Sequence, residues 1–479
     1  MGMGGGGRKK GRTLTIKGLN HFLTKEMSRD EKQVFYDLTL PFMQKSALAL
    51  PEVTMFLTKL TFFFYLEKET CRLMIGCKCV LSFFDWLQKK KKKKKMNRQA
   101  SVELTAEQVC SLLAMTFFGL NNWKMGKSWP KFEMTMLYSR CDLPTYNKLK
   151  CLFHYFNCMA QDSPHKRQSV SPSPASRQKT NTNNNNNNSN SNSNSNNKKK
   201  TNGHNGRSLS RHTTRTLSIH RHKVPSKVVT YLQSEEGLLT NQTPLCPVDL
   251  LVEGKIEDSI GDFQIDFANK FIGGGVFTGG CVQEVVLRIQ INKYLFIYPN
   301  LTKQKKKKKK KEIRFVISPE CLVGLLLCEE MYVNEVIAIV GTKQFSKYQG
   351  YGRTFKFAGH HEDASGTCVV NSTANTMCTC SCIVAIDAQK YLAEGRHKQF
   401  SLPKVQRDLV KCYAGFSFPA HACPFWRGTA DAESEAKSNE SHMHDGCIGI
   451  ATGNWGCGVF GGNVELKFVF NGWPPLCVD

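Results

Sequence analysis

The chain of 479 residues lacks an apolar run long enough to cross a membrane. Its two most apolar stretches are Thr61–Leu87 and Cys321–Gly341. Glu67, Lys68, Glu69, Arg72 and Lys78 interrupt the first, and Glu329, Glu330 and Glu335 the second. Neither offers the ~18 uninterrupted apolar residues of a membrane span, so no membrane partner is expected. No apolar h-region follows the Gly- and Lys-rich Met1–Arg12, so no secretory signal is expected and the 20 cysteines read as reduced thiols. Paired C-x-x-C spacing is missing as well. Cys378, Cys380 and Cys382 alternate instead, which suits small buried side chains on a strand running on through Ile383–Ile386 better than a structural metal centre. His360, His361, His442 and His444 show no partner pattern and read as loop histidines. Acidic residues are scarce, 39 against 66 Lys and Arg, for a net charge of +27. The excess is local. The runs Lys89–Lys95 and Lys305–Lys311 carry 14 charges and residues 162–223 a net 11, so the remainder is nearly neutral. That distribution excludes a basic DNA-binding fold as the easy inference, and no sequence-specific nucleic-acid partner is expected.

The chain length suits about two or three domains. Residues 20–60 and 96–160 read as helical. Leu38, Leu40, Phe42, Met43, Leu48 and Leu50 are apolar, and Pro51 ends that segment. Thr105 and Gln108 form a capping box ahead of the apolar face Val109, Leu112, Leu113 and Phe117. Residues 161–223 are rich in Ser, Asn, Thr and Arg, a composition that cannot bury enough apolar surface to order itself. From about Val224, short β-branched runs alternate with helical patterns. Gln264–Phe267, Glu335–Val340 and Ile383–Ile386 read as strands, and Cys321–Met331 and Pro403–Tyr413 as helices, which predicts an α/β domain around a central sheet.

Two glycine-rich stretches carry chemistry. In the first, a strand ends in Asp266 and Asn269, Gly273-Gly274-Gly275 follows, and Gln283-Glu284 comes after it. Glycines let a backbone approach a ligand closely and turn its N–H groups outward, which suits a pyrophosphate. Taken alone, a triple glycine reads first as a flexible loop. The second stretch is Ala451-Thr-Gly-Asn454-Trp-Gly456-Cys457-Gly458-Val-Phe460-Gly461-Gly462. Two such loops in one α/β domain suit the two ends of a nucleotide diphosphate, with Asn269 and Asn454 on hydroxyls and Tyr351 over a ring or a ribose.

Taken together, Ile265-Asp-Phe-Ala-Asn-Lys270 with Gly273–Gly275 and Gln283-Glu284, Gly350-Tyr351, Ile383-Val-Ala-Ile-Asp-Ala388 and the second glycine stretch resemble the poly(ADP-ribose) glycohydrolase family. Leu40-Pro-Phe-Met43, Ala49-Leu-Pro51 and Leu112–Phe118 resemble its helical accessory domain. The resemblance implies an α/β macrodomain-like catalytic domain over 224–468 with an amino-terminal all-helical accessory domain over 20–160. It implies hydrolysis of ribose–ribose O-glycosidic bonds, with poly(ADP-ribose) and poly(ADP-ribosyl)ated proteins as partners and no cofactor or metal. It also implies a nuclear or cytoplasmic location and a place in the DNA damage response. By resemblance, Glu312 is the general acid and then the base, Glu284 holds ribose hydroxyls beside Asn269, and Asp266 supports that loop. Gly274 and Gly275, with Gly456, Cys457, Gly458 and Gly461, cradle the pyrophosphate. Tyr351 and Phe460 close over the ligand, Gln283 and Asn454 line it, and Ile256 and Glu257 match an adenine-contacting pair.

One departure bears on activity. In the family the two glutamates are adjacent, whereas here Val285 follows Glu284 and the family text resumes at Glu312-Ile-Arg-Phe315. Residues 285–311 therefore read as an insertion. Gln88–Lys95 repeats the octapeptide Gln304–Lys311, so residues 61–95 read as a second insertion, and Val469–Asp479 as a non-family tail lacking the family's adenine-stacking aromatic. A split motif and a repeated boundary point to translated intervening sequence or a gene-model error, against a genuine lineage-specific insertion; sequencing mature transcript across codons 284–312 separates the two. The chain as written is expected to be weakly active or inactive. Its rivals are a catalytically inactive ADP-ribose-binding protein and a basic nucleic-acid binder acting through residues 161–223.

Overall fold

The computed structural model describes residues 16–48, 100–119, 127–162, 213–237, 255–278, 286–287, 313–391, 395–424 and 449–472, apart from the single positions 131, 133, 236 and 459. Pro51, the segment 61–95 and most of 285–311 lie outside them.

The helical expectation holds for the amino-terminal region. Helices α1 (Lys17–His21), α2 (Arg29–Val34) and α3 (Leu40–Leu48) are followed by α4 (Ala106–Phe117), α5 (Thr135–Tyr138) and α6 (Leu143–Asp162). Ser28 caps α2 and Thr105 caps α4, each in a reciprocal box with Glu31 or Gln108. Among the described residues there, Ala100–Thr105 is not helical but forms strand β1, antiparallel to β2 (Thr214–Lys223), and residues 127–134 are turns and irregular chain.

β2 corrects a second expectation. It falls inside the segment read as unable to order, yet it pairs with β5 (Glu335–Val340), β1 and β9 (Thr376–Thr379). Its arginines are structural: Arg215 pairs with the fully buried Glu320, and Arg221 with Glu335. Paired and hydrogen-bonded, such charges are compatible with an interior.

The remaining strands are β3 (Phe263–Ala268), β4 (Val286–Leu287), β6 (Ser346–Gln349), β7 (Lys356–His360), β8 (Thr367–Asn371), β10 (Cys382–Asp387) and β11 (Ile450–Gly453). The main sheet runs β4-β11-β3-β10-β5-β2-β9-β8, with β1 also on β2, and β6 and β7 form a separate ribbon. β11, β3 and β10 are mutually parallel in that order, and β5 is antiparallel to β10. Strands β5 and β10 are buried along their whole length, so they read as continuous apolar runs. Ile337, Ile339, Ile383 and Ala385 face a core shared with the amino-terminal helices. Val336, Ala338, Val384 and Ile386 face a second core, closed by α7 (Ser226–Gln233), α10 (Leu402–Phe416) and α11 (Val464–Asn471).

Three boundaries differ from expectation. Cys321–Met331 is not one helix: a 3₁₀ turn over Pro319–Val323 leads into the short α9 (Gly324–Leu327), and Cys328 is extended. Helix α8 (Ile313–Ile317) precedes it. Cys378 and Cys382 lie on two strands, β9 and β10, with a turn between them. Finally, α11 continues to Asn471 and buries Phe470 in the second core, so the helix runs on past Phe468.

Candidate active site

The two glycine stretches leave the sheet at the carboxyl ends of neighbouring parallel strands, β3 and β11, which pair Phe263 with Ile450 and Gln264 with Ala451. In open α/β sheets, ligands bind in the crevice at this end of the strands. β10 ends on the other side of β3, level with it through Asp387 opposite Ala268.

Asp266 is half-buried, opposite Ala385 in the β3–β10 register, and so points to the face covered by the amino-terminal helices. Asn269 is half-buried just past the strand. The first loop is a run of tight turns, in which Gly274 N–H donates to the Phe271 carbonyl and Val276 N–H to that of Gly273. Gly273 has φ +73°, and a Cβ there would lie 2.5 Å from Leu325 Cδ1. Gly274, also at positive φ, is exposed, and Gly275 is half-buried.

Sequence reasoning missed what braces this loop. Lys148 of α6 is 3% exposed, and its Nζ donates to the carbonyls of Val276 at 2.6 Å and Thr278 at 2.9 Å. The preceding residue, Asn147, accepts from Phe357 N–H on β7 at 2.9 Å. One turn of the accessory helix thus fixes both the glycine loop and the strand after the Tyr351 turn. A lone lysine and asparagine within a helical pattern carry no signal of this.

Tyr351 is 50% exposed and begins a one-turn 3₁₀ helix, its N–H donating to Thr354 Oγ1. Ile256 and Glu257 sit on a turn tied to the same region: Tyr348 donates to Glu257 Oε1 at 2.7 Å, and Gln264 of β3 donates to the Ser259 carbonyl. Burial, and then the Glu257 charge, raise the Tyr348 pKa, so its hydroxyl stays a donor.

The second loop has its own brace. Gly456, at φ +73°, would place a Cβ 2.8 Å from Ala388 Cβ. Gly462 N–H donates to the Gly456 carbonyl, and Asn463 caps α11 through Leu466 N–H. Asn454, Cys457 and Phe460 are half-buried, Gly458 is exposed, and Gly461 is buried at positive φ. Tyr391 N–H donates to the Phe460 carbonyl at 2.7 Å, which joins the chain after β10 to this loop. Beneath it lie Trp455, Lys467 and Asp408, all buried. Asp408 also accepts from Tyr391 and Arg407. Burial alone would raise the Asp408 pKa; Lys467 and Arg407 outweigh it and hold the carboxylate ionised.

Glu312, Glu284 and Gln283 lie outside the described residues. The nearest described residues to the glutamates sit in different elements. Val286 pairs with Gly453 and Leu287 with Thr452 on the outer edge of β11, whereas Ile313, directly after Glu312, is buried at the start of α8.

Comparison with known proteins gives this geometry a family. The "Poly (ADP-ribose) glycohydrolase (PARG), helical domain" model matches residues 27–172. The corresponding "Macro domain fold" model matches residues 236–308 and 302–472, two pieces that overlap over residues 302–308, where the Lys305–Lys311 run begins. "Probable poly(ADP-ribose) glycohydrolase 2" of Arabidopsis thaliana is 24% identical over 486 residues, covering 95% of this chain and 72% of that protein. "Poly(ADP-ribose) glycohydrolase 1" of the same plant is 30% identical over 262 residues, 47% of this chain and 42% of its own length. "Poly(ADP-ribose) glycohydrolase 1" of Caenorhabditis elegans is 30% identical over 236 residues, 46% of this chain and 22% of its own length. The chain thus spans less than half the length of the latter two. With both family models matched in order over most of its length, and both glycine loops set side by side on a macrodomain-type sheet, the chain belongs to the poly(ADP-ribose) glycohydrolase family.

Proposed function

We propose that this fold hydrolyses the ribose–ribose O-glycosidic bonds of poly(ADP-ribose), releasing ADP-ribose, and that residues 285–311 suppress the reaction in the chain as written. The observation that carries the substrate is the pair of braced glycine loops at the ends of the neighbouring strands β3 and β11, with Asp266 on β3 and Asn269 just past its end. Backbone N–H groups of such loops suit a pyrophosphate, and the neighbouring amide and carboxylate suit ribose hydroxyls. Glu312 protonates the glycosidic oxygen as the C–O bond breaks through an oxocarbenium-like state. The same carboxylate then takes a proton from the water that adds to the anomeric carbon. Glu284 holds ribose hydroxyls, and the first step requires Glu312 in its protonated form. Tyr351 and Phe460 close over the ligand, and Ile256 and Glu257 meet the adenine. The partners are the polymer and the proteins that carry it, in nucleus or cytoplasm.

A second reading, binding without hydrolysis, is favoured by one observation: Val286 and Leu287, shortly after Glu284, pair along the edge of β11. Calorimetric titration with ADP-ribose and a chain-length assay on the polymer, both run on a variant lacking residues 285–311, separate the two. Binding with cleavage supports the hydrolase, binding alone supports the inactive binder, and neither sinks both.

A further inference from the structure

Helix α6 and strand β7 meet at a second cluster of reactive side chains. His154 and Cys158 are one helical turn apart on α6, and His360 is the last residue of β7. His154 Nε2 lies 3.1 Å from His360 Nδ1, Cys158 Sγ lies 3.5 Å from His154 Nε2, and Cys158 Sγ lies 3.8 Å from His360 Nδ1. All three ligand atoms lie within 4.8 Å of one another. His154 and Cys158 are half-buried and His360 is exposed, so the cluster is reachable from solvent.

These separations match the edges of a coordination tetrahedron. With Zn–N of about 2.0–2.1 Å and Zn–S of about 2.3 Å, tetrahedral ligands sit about 3.3 Å apart for N–N and about 3.6 Å apart for N–S. The three observed edges fall within about 0.3 Å of those values. Spacing of i, i+4 puts two ligands on one helix face, and the fold supplies the third from the other domain. Two imidazoles and a thiol form a borderline-soft donor set, which selects zinc over calcium or magnesium.

We propose that His154, Cys158 and His360 bind one zinc ion, with water in the fourth position, and that the ion clips the accessory helix to β7. The clip lies on the same α6–β7 contact as the Asn147–Phe357 hydrogen bond and steadies the helix that carries Lys148. It is independent of the glycosidase reading, since none of its ligands lies in the glycine-loop site.

The test uses the full chain, stripped with chelator and titrated with zinc chloride, then with cobalt chloride as a spectroscopic probe. One zinc per chain, a thiolate-to-cobalt charge-transfer band and a zinc-dependent rise in melting temperature are expected. Cys158→Ser removes the band and weakens zinc binding at least tenfold, whereas Cys141→Ser, at an exposed cysteine elsewhere, changes neither. Should Cys158→Ser fail to fold, His360→Ala, at an exposed position, carries the same test through the same tenfold loss. Zinc well below one per chain, or a charge-transfer band that survives Cys158→Ser, overturns the proposal.

Discussion

Lys467 Nζ lies 3.8 Å from the centroid of the Trp455 ring and donates to Asp408, with all three side chains buried beneath the second glycine loop. A charge in that position is tolerated because it is paired and sits over an aromatic face. The pair holds the loop from below, where no ligand could reach it.

Lys467→Met leaves the Asp408 carboxylate buried with one cationic partner fewer. Breaking a buried pair in this way costs ~3–5 kcal/mol, so thermal unfolding shifts well downward. ADP-ribose affinity, read by calorimetry below the new midpoint, falls with it because Trp455 loses its support. An unchanged melting temperature would show that the pair does not anchor the loop.

Lys148 makes the equivalent prediction for the first loop. Lys148→Met leaves the carbonyls of Val276 and Thr278 without their buried donor, at about 1–3 kcal/mol. ADP-ribose binding should weaken although Lys148 is on the accessory helix. Hydrogen exchange at Gly273–Thr278 should speed up selectively, and uniform exchange across the protein would contradict this.

The glycines divide by geometry. Gly273→Ala and Gly456→Ala combine positive φ with a Cβ placed 2.5 Å from Leu325 and 2.8 Å from Ala388. Both should lower stability and ligand affinity. Gly458, with nothing within 4 Å of a built Cβ, should accept alanine with little loss of stability. Equal melting temperatures for all three variants would refute the distinction.

His220 gives a pH dependence. Burial, and then His421, lower its pKa from 6.5 to about 4. The unfolded chain therefore takes up a proton near pH 6.5 that the folded chain refuses until about pH 4. The stability contributed by neutral His220 is present above pH 6.5 and is lost as pH falls towards 4. Melting temperature should decline over that window, and His220→Gln should flatten the decline.

The sequence made β5 and β10 legible because both faces are buried, which leaves uninterrupted apolar runs. The same logic concealed β2. Thr214–Lys223 carries Arg215 and Arg221, and only their buried partners Glu320 and Glu335, about a hundred residues away, make it a strand. Cys321–Met331 reads as one helix from its local pattern, but packing against the core breaks it into a 3₁₀ turn and one short helix. At the site, motif order revealed the glycine loops, but their bracing by Lys148 and Lys467 depends on long-range packing with no local signature. His360 read as a loop histidine for the same reason: its neighbours His154 and Cys158 are contributed by the other domain.

The most direct measurement is polymer hydrolysis by three chains: the full sequence, a variant with residues 285–311 removed, and that deletion carrying Glu312→Gln. Calorimetric ADP-ribose binding confirms that each is folded. The expected result is cleavage restored by the deletion and reduced about 10²–10⁴-fold by Glu312→Gln, with binding retained. A folded deletion variant that binds ADP-ribose but leaves the polymer intact, or one that cleaves equally well without the Glu312 carboxylate, would contradict the account.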